Sequence, residues 1–450
     1  MGNSWPSEEG AYEFTYEVSQ PMEFIIFMAV LVVLFLVGMP VAFALGITGF
    51  LIFKIMWGES VNLGIIAQRM LYGSNNFVIL AIPFFLLAGK LMNTGGITQR
   101  IFDFANLLVG RLKGGLGQVN IVASMIFAGM SGLAAADTAG LGMVEIKAMK
   151  DAGYDLDFSC AVTGASATVG PIIPPSVPLV IYGVLANVSI GRLLIAGIIP
   201  GLLVGLTLMI MVAFLAGKKR YPRSQKTNLA ELWRAFKHAF GPIMTPVILV
   251  GGILSGVFTP TEAAATAALY AFILGFFVYR EISLIDLWRI LKETTRDTAI
   301  ITFILACALF YGWVLIRSRT PIVLLELFTG ISTSPLVVLF ILNGFLLFIG
   351  CFMETIAAMS ILIPVLAPLI TKVGIDPLHF GLVMVLNLMI GLLTPPFGIN
   401  LFILNKVSGL PTLRIARACV PFFIPLLACL VLITLFPSVV TYLPNLAFGK

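Results

Sequence analysis

The stretch Gly170-Pro171-Ile172-Ile173-Pro174-Pro175-Ser176 lies in the middle of an apolar run, where a membrane-spanning helix should be continuous. Proline has no backbone donor and clashes with the preceding turn, and the residue before a proline is pushed out of the helical region. Several carbonyls therefore lose their helical partners. In hydrocarbon such groups are costly unless protein, water or an ion satisfies them, so a broken span of this kind lines a cavity. The same device recurs at Gly391-Leu392-Leu393-Thr394-Pro395-Pro396-Phe397-Gly398. One offset of 221 residues carries the first break onto the second and also superposes Phe127 on Phe348, Gly129 on Gly350, Gly153 on Gly374 and Asp155 on Asp376. Interrupted spans in corresponding positions of two halves point to the binding site of a secondary transporter.

With 59% hydrophobic and 11% charged residues over 450 positions, the chain reads as an all-α polytopic membrane protein. Its net charge of +6 fits Lys and Arg retained in cytoplasmic loops rather than a nucleic-acid surface. Cys160, Cys307, Cys351, Cys419 and Cys429 sit in apolar stretches without a CxxC pair, and His238 and His379 are the only imidazoles, so neither disulfides nor a transition-metal site is expected. Residues 1–21 carry Glu8, Glu9, Glu13 and Glu17 but no basic residue, unlike a signal peptide; they read as a polar extension, with Met22 as an alternative start.

Taken in order, residues 24–55 divide at Gly38-Met39-Pro40 into two short spans, with Pro40 at the first helical position of the second. An interfacial segment at 58–76 and a span at 77–93 follow, and the separated faces of 97–112 predict a surface helix. Residues 116–150 are broken by Gly129-Met130-Ser131-Gly132, and neither arm reaches the roughly 20 residues that cross a bilayer. They read as a re-entrant hairpin with its tip at Ser131. The first broken helix occupies 155–187, and a span at 190–217 carries Gly197, Gly201 and Gly205 at packing spacing.

The acid-free loop with Lys218, Lys219, Arg220, Arg223 and Lys226 is placed in the cytoplasm. Beyond it come a surface helix at 229–240, spans at 241–257 and 260–280, an amphipathic helix at 281–297 and a span at 299–316. A second hairpin at 335–371, a second broken helix at 378–410 and a final span at 412–436 close the chain. This topology puts most of the 27 Lys and Arg on the cytoplasmic side and makes the two repeats inverted. The domain boundaries are 1–21 for the extension, 22–187 for the first repeat, 188–240 for the linking span, basic loop and surface helix, 241–410 for the second repeat and 411–450 for the final span.

A hairpin tip and a helix break from each repeat should meet near the midplane. Carbonyls around Gly170 to Pro175 and Gly391 to Phe397, with the Ser131 and Thr394 hydroxyls, are neutral oxygen ligands suited to Na+. Half-helices starting at Ser176 and after Pro396 offer positive dipole ends to an anion. Together these features suggest cation-coupled uptake of an anionic solute. Asp137 and Glu354 lie in the apolar hairpins, where a charge costs about 2.5 to 3.5 kcal/mol on the insertion scale. They either handle ions at the tips or cap and pair within the hairpins; under the offset Glu354 falls on Leu133, so the two are not equivalent. Thr259-Pro260-Thr261-Glu262 spells a capping box. Thr163, Ser166 and Thr168 before the first break, and Asn387 and Asn400 around the second, line a solute pathway or bond neighbouring helices.

Gly129-Met130-Ser131-Gly132 with Ala136-Asp137-Thr138-Ala139, then Pro174-Pro175-Ser176, Thr259-Pro260-Thr261-Glu262-Ala263-Ala264 and Gly391-Leu392-Leu393-Thr394-Pro395-Pro396, resemble the large membrane subunit of tripartite ATP-independent periplasmic (TRAP) transporters over residues 22–440. The resemblance implies a sodium-driven elevator of the ion transporter superfamily in the bacterial inner membrane. It implies a small membrane subunit and a periplasmic substrate-binding protein as partners, and a small carboxylate as solute. One sodium site would use Ser131 with Gly170, Ile173 and Pro175; the other would use Gly350 with Gly391, Thr394 and Phe397. Asp137, Thr168, Ser176, Glu354, Asn387 and Asn400 are the candidates for contacting solute. Two other readings stand beside it: a stand-alone sodium/carboxylate symporter of related architecture, and an intramembrane enzyme using Asp137 and Glu354. No nucleophile, metal cluster or phosphate loop accompanies those carboxylates.

Overall fold

The computed structural model describes residues 29–57 except 32, 35 and 36, residues 63–219 except 76, residues 221–222 and 229–318, and residues 332–449 except 333. The extension 1–21 and the basic residues Arg220, Arg223 and Lys226 lie outside the described residues. Regular structure among the described residues is helical throughout. Seven of these helical stretches are long and apolar enough to cross a membrane, from Phe77–Thr94 to Thr412–Leu435.

The first half runs α1 (Val41–Trp57), α2 (Gly64–Ser74), α3 (Ala81–Thr94), α4 (Ile97–Val109), α5 (Leu116–Ser131), α6 (Ala134–Ala139), α7 (Leu141–Asp151), α8 (Leu156–Ala167) and α9 (Val177–Ala186). A linking pair, α10 (Ile190–Ala196) and α11 (Ile198–Lys219), leads to α12 (Leu229–Leu254), α13 (Pro260–Phe272) and α14 (Leu284–Arg317). The chain ends with α15 (Pro335–Gly350), α16 (Thr355–Val373), α17 (Pro377–Gly391), α18 (Ile399–Ser408), α19 (Thr412–Leu435) and α20 (Ser438–Phe448).

Four expectations need correction. The surface helix and span read at 229–257 are one helix, α12, which runs through Pro242 and Pro246. Membrane helices tolerate such prolines where neighbours occupy the freed space, and Gly129 of α5 lies against the Pro246 ring. The amphipathic helix and span read at 281–316 are likewise one 34-residue helix, α14. At 1.5 Å per residue it is roughly 50 Å long, so its polar first turns extend past the hydrocarbon core without any helix break. Pro40 caps α1 instead of opening it, since Ala44 N–H donates to its carbonyl at 3.1 Å. Finally, Thr412–Leu435 does not close the chain, because α20 follows it and packs on α10.

The packing repeats under the 221-residue offset. Helix α1 packs on α14 as α3 packs on α13, and these pairs exchange under that shift. In the same way α5 packs on α8 as α15 packs on α17. Each hairpin also reaches across to the other half: α6 lies on α18, and α16 lies on α9. The core is therefore shared by both halves, and neither hairpin is buried by its own half alone.

The Thr259 cap is as read, with its hydroxyl accepting from Glu262 N–H at 3.3 Å and Glu262 Oε2 accepting from Thr259 N–H at 2.8 Å. Thr259→Ala is expected to remove about 1 kcal/mol of stability with little effect on transport. A thermal melt of the purified protein checks it.

Candidate functional site

Each hairpin tip rests on the helix break of its own half. In the first, α5 ends at Ser131 and Gly132 turns the chain at φ 64°. A Cβ on Gly132 would run into the Pro175 carbonyl, so only glycine permits this approach. Val177 N–H points at Gly132 O at 3.4 Å. In the second, Phe397 N–H donates to Cys351 O at 3.1 Å, and Gly391 lies directly on the backbone of Gly350. Both breaks carry a cis peptide, Pro174-Pro175 and Pro395-Pro396.

Ser131, Gly170 and Pro175 of the first expected sodium set are thus gathered around one tip. Asp137 joins them: the Ser131 hydroxyl donates to its Oδ1, and its Oδ2 lies against Gly170 with no hydrogen-bond partner. Ile173 is half-buried on the far side of the break, where its side chain meets Gly201 of α11. In the second set Gly350, Gly391 and Phe397 meet as described, and the Thr394 hydroxyl donates to Ile390 O at 2.9 Å. The two sites differ in exposure. Residues 174–176 are buried, whereas Pro395, Pro396 and Phe397 are exposed.

The donor set is hard oxygen throughout, namely hydroxyl, carboxylate and carbonyls released by the breaks. That chemistry fits Na+ better than a soft or transition metal.

The solute candidates fall into three groups. Ser176 caps α9, accepting from Leu179 N–H at 3.1 Å and donating to Pro171 O. Glu354 caps α16 through Ile356 N–H at 2.8 Å and Ala357 N–H at 3.2 Å, the capping alternative of the two left open above. Thr168 bonds back to Ala165 O at 2.6 Å. Asn387 ties α17 to α15, donating to Asn343 Oδ1 at 2.9 Å, and Asn343 in turn donates to Thr434 at 2.9 Å. Asn400, fully buried at the start of α18, has no partner for either amide atom.

The first half has a matching interior network, in which Asn120 donates to Thr163 at 2.7 Å and accepts from Ser166 at 2.7 Å, and Ser124 donates to Ser166 at 3.0 Å. Ser166 and Asn387 are related by the offset, so each half fastens its hairpin to its broken helix at the same place. Glu145 on α7 escaped the sequence reading: it is 1% exposed, with Oε1 unpartnered.

Paired hairpins seated on paired helix breaks, surrounded by long apolar spans, define the architecture of a polytopic membrane transporter. The sequence profile of the family "Tripartite ATP-independent periplasmic transporter, DctM component" matches residues 28–439. This chain belongs to that family, the large permeases of TRAP transporters, which are multi-pass proteins of the bacterial inner membrane. It is 47% identical over 412 residues to the sialic acid TRAP transporter large permease SiaM of Vibrio cholerae, covering 92% of this chain and 96% of that protein. It is 39% identical to the C4-dicarboxylate large permease DctM of Pseudomonas aeruginosa, over 89% of this chain and 94% of that one. It is 36% identical to the 2,3-diketo-L-gulonate large permease YiaN of Escherichia coli, over 93% and 98%. In fold it is similar to the YdaH transporter of Alcanivorax borkumensis, with a TM-score of 0.66 at 12% identity over 92% of this chain and 98% of that one.

Proposed function

We propose that this permease takes up a small organic carboxylate by sodium symport, receiving it from a periplasmic binding protein and working with a small membrane subunit. The observation that carries the reading is the pair of tip-on-break contacts, each of which brings hydroxyl and backbone carbonyl oxygens together where a helix is interrupted. Sodium bound at Ser131, Gly170, Ile173 and Pro175, and at Gly350, Gly391, Thr394 and Phe397, would hold each tip closed on its break. Two inverted repeats, 22–187 and 241–410, supply these elements, followed by the final span and C-terminus at 411–450.

Hairpins and broken helices form the moving body, and α1, α3, α13 and α14 form the static one. The exposure of Pro395 to Phe397 against the burial of the first break fits a state in which only one side of the site is open, as an elevator requires. The N-terminal dipole end of α18 would attract the carboxylate, with Asn400 beside it. The relatives named for sialic acid, C4-dicarboxylates and diketogulonate support a small carboxylate as the solute.

The test is uptake in proteoliposomes holding this chain and its small partner, over a panel of carboxylates, with and without a sodium gradient and the binding protein. Uptake that requires both supports the tripartite reading, while uptake by this chain alone would replace it with a stand-alone symporter. Ser131→Ala and Thr394→Ala are expected to raise the sodium concentration for half-maximal uptake about tenfold, equivalent to one lost ligand at about 1.4 kcal/mol, with little change in melting temperature. Unchanged sodium activation in both would contradict the site assignment.

A further inference from the structure

Helices α14 and α16 touch at one point and then part. A Cβ on Gly312 would lie 2.7 Å from Pro364 Cβ, so α14 and α16 are in close contact there. One helical turn further along, between Ile316 of α14, Pro368 of α16 and Leu185 of α9, a cavity of about 530 Å³ opens. Pro364 and Ala367 also line it, and Thr371 and Lys372 complete the wall. Eight residues separate Pro364 from Lys372, so the cavity runs roughly 12 Å along α16 at 1.5 Å per residue. Half of a hydrocarbon core about 30 Å thick is of similar length.

The wall is graded from apolar to charged. At the Gly312 end it is made of aliphatic side chains and proline rings. The Thr371 hydroxyl is spent on Ala367 O at 2.9 Å, which leaves the Lys372 ammonium as the polar group a ligand meets. Beside the cavity α14 ends with Trp313 and Arg317, and the Arg317 and Arg69 guanidinium carbons lie 5.9 Å and 4.8 Å from the indole centroid. Tryptophan is enriched at the headgroup level of a bilayer, and arginine snorkels to it. The cavity therefore starts in hydrocarbon and ends among headgroups. Helix α16 packs on α9, α14, α15 and α17, and these pack in turn on α1, α2, α3 and α10. Apart from α14, none of these helices carries an acid. Asp286, Glu293 and Asp297 lie in the opposite half of α14, Glu354 caps the far end of α16, and Asp376 caps α17 through Leu378 N–H at 2.8 Å. Among the described residues Lys372 is exposed and outside every salt bridge.

We propose that this cavity binds one anionic phospholipid, with an acyl chain lying between α14 and α16 and the phosphate on the Lys372 ammonium. Apolar walls take up the chain, and the unpaired cation selects the headgroup. A zwitterionic lipid carries its own ammonium to Lys372 and is disfavoured. No residue of either hairpin tip or helix break lines the cavity. In the elevator reading α14 is static and α16 moves, so a lipid wedged between them favours the present end state. That consequence rests on the proposed mechanism, whereas the binding itself does not.

The experiment is photolabelling in proteoliposomes that hold the permease and its small subunit. The probe is phosphatidylglycerol with a photoreactive group near the end of one acyl chain, compared with phosphatidylcholine bearing the same chain, and labelled peptides are identified by mass spectrometry. In the wild type the segments around Leu185 and Pro364 are expected to take at least tenfold more label from phosphatidylglycerol. In Lys372→Gln both lipids should label them alike, at the phosphatidylcholine level. Ala367→Trp, which fills the cavity, should abolish both signals there. Equal labelling by the two lipids in the wild type would overturn the proposal. A wild-type preference retained in Lys372→Gln, or undiminished label in Ala367→Trp, would overturn it as well. Loss of the preference on adding inorganic phosphate would give the site to a free anion and remove the lipid. If Ala367→Trp does not fold, Ile316→Trp fills the same cavity from α14 and decides in its place. Labelling requires neither sodium nor uptake, so its failure leaves the symport reading standing, and a failure of uptake leaves the lipid site standing.

Discussion

Gly391→Ala is expected to raise the sodium requirement for uptake ten- to a hundredfold while leaving the protein folded. A Cβ at this position would stand 2.5 Å from Gly350 Cα and 2.6 Å from Gly350 O. Both are backbone atoms, so no rotamer change can relieve the contact. Overpacking of this kind costs about 1 to 3 kcal/mol, and each 1.4 kcal/mol or so is tenfold in a binding constant. The strain falls on the seat of the second tip, because separating Gly350 from Gly391 also stretches the Phe397 N–H to Cys351 O bond of 3.1 Å. The oxygens that would surround sodium then move apart.

Gly344→Ala is the control. It lies in the same hairpin arm, α15, with open space around it, and alanine is the better helix former by about 1 kcal/mol. Sodium activation of uptake in proteoliposomes, measured for both variants beside their melting temperatures, decides the matter. A Gly391→Ala curve that overlays the wild type would remove the tip contact from the sodium site.

The features that carry function were readable because they are made of residues with backbone consequences. Proline and glycine mark a break wherever they fall, and a shared offset of 221 residues is visible without any structure. Hydropathy is a weaker guide to where a helix ends. Residues 293–298, Glu-Thr-Thr-Arg-Asp-Thr, are polar but contain no breaker, so α14 continues through them while the reading divided it. The prolines of α12 led to the same division of a continuous helix, because packing of Gly129 against Pro246 depends on a contact more than a hundred residues away along the chain. Glu145 was missed because its neighbours Lys147, Lys150 and Asp151 make Leu141–Asp151 look like a solvated turn of helix. Its burial comes from α5 and α8, and the only local signal is its spacing of eight residues from Asp137, about two helical turns. Helix α20 was passed over because Pro437 and Pro444 suggest irregular chain, although proline is tolerated at a helix start.

Gly312→Val tests movement apart from binding, and it should stop uptake at least a hundredfold while sodium still binds. Gly312 lies on α14, and a Cβ there would fall 2.7 Å from Pro364 Cβ on α16, the inner arm of the second hairpin. Helices α14 and α16 belong to the static and moving bodies of the proposed elevator, so this contact exists only while the hairpin is in its present position. A proline ring cannot rotate away, and valine adds two methyl groups to the clash. The substitution therefore penalises one end state and leaves the other untouched. A ligand or mutation shifts a two-state equilibrium by its differential energy alone. A penalty of roughly 3 kcal/mol moves the population more than a hundredfold toward the state in which α14 and α16 are apart. A carrier must visit both states in every cycle, so turnover falls with the population of the disfavoured one. The proposed sodium sites, at residues 131–175 and 350–397, belong to the proposed moving body and would keep their geometry. The signature is loss of uptake with retained sodium binding, which is the reverse of Gly391→Ala. Gly312→Val uptake at wild-type rate would show that α14 and α16 do not slide past one another, and would place the static and moving boundary elsewhere.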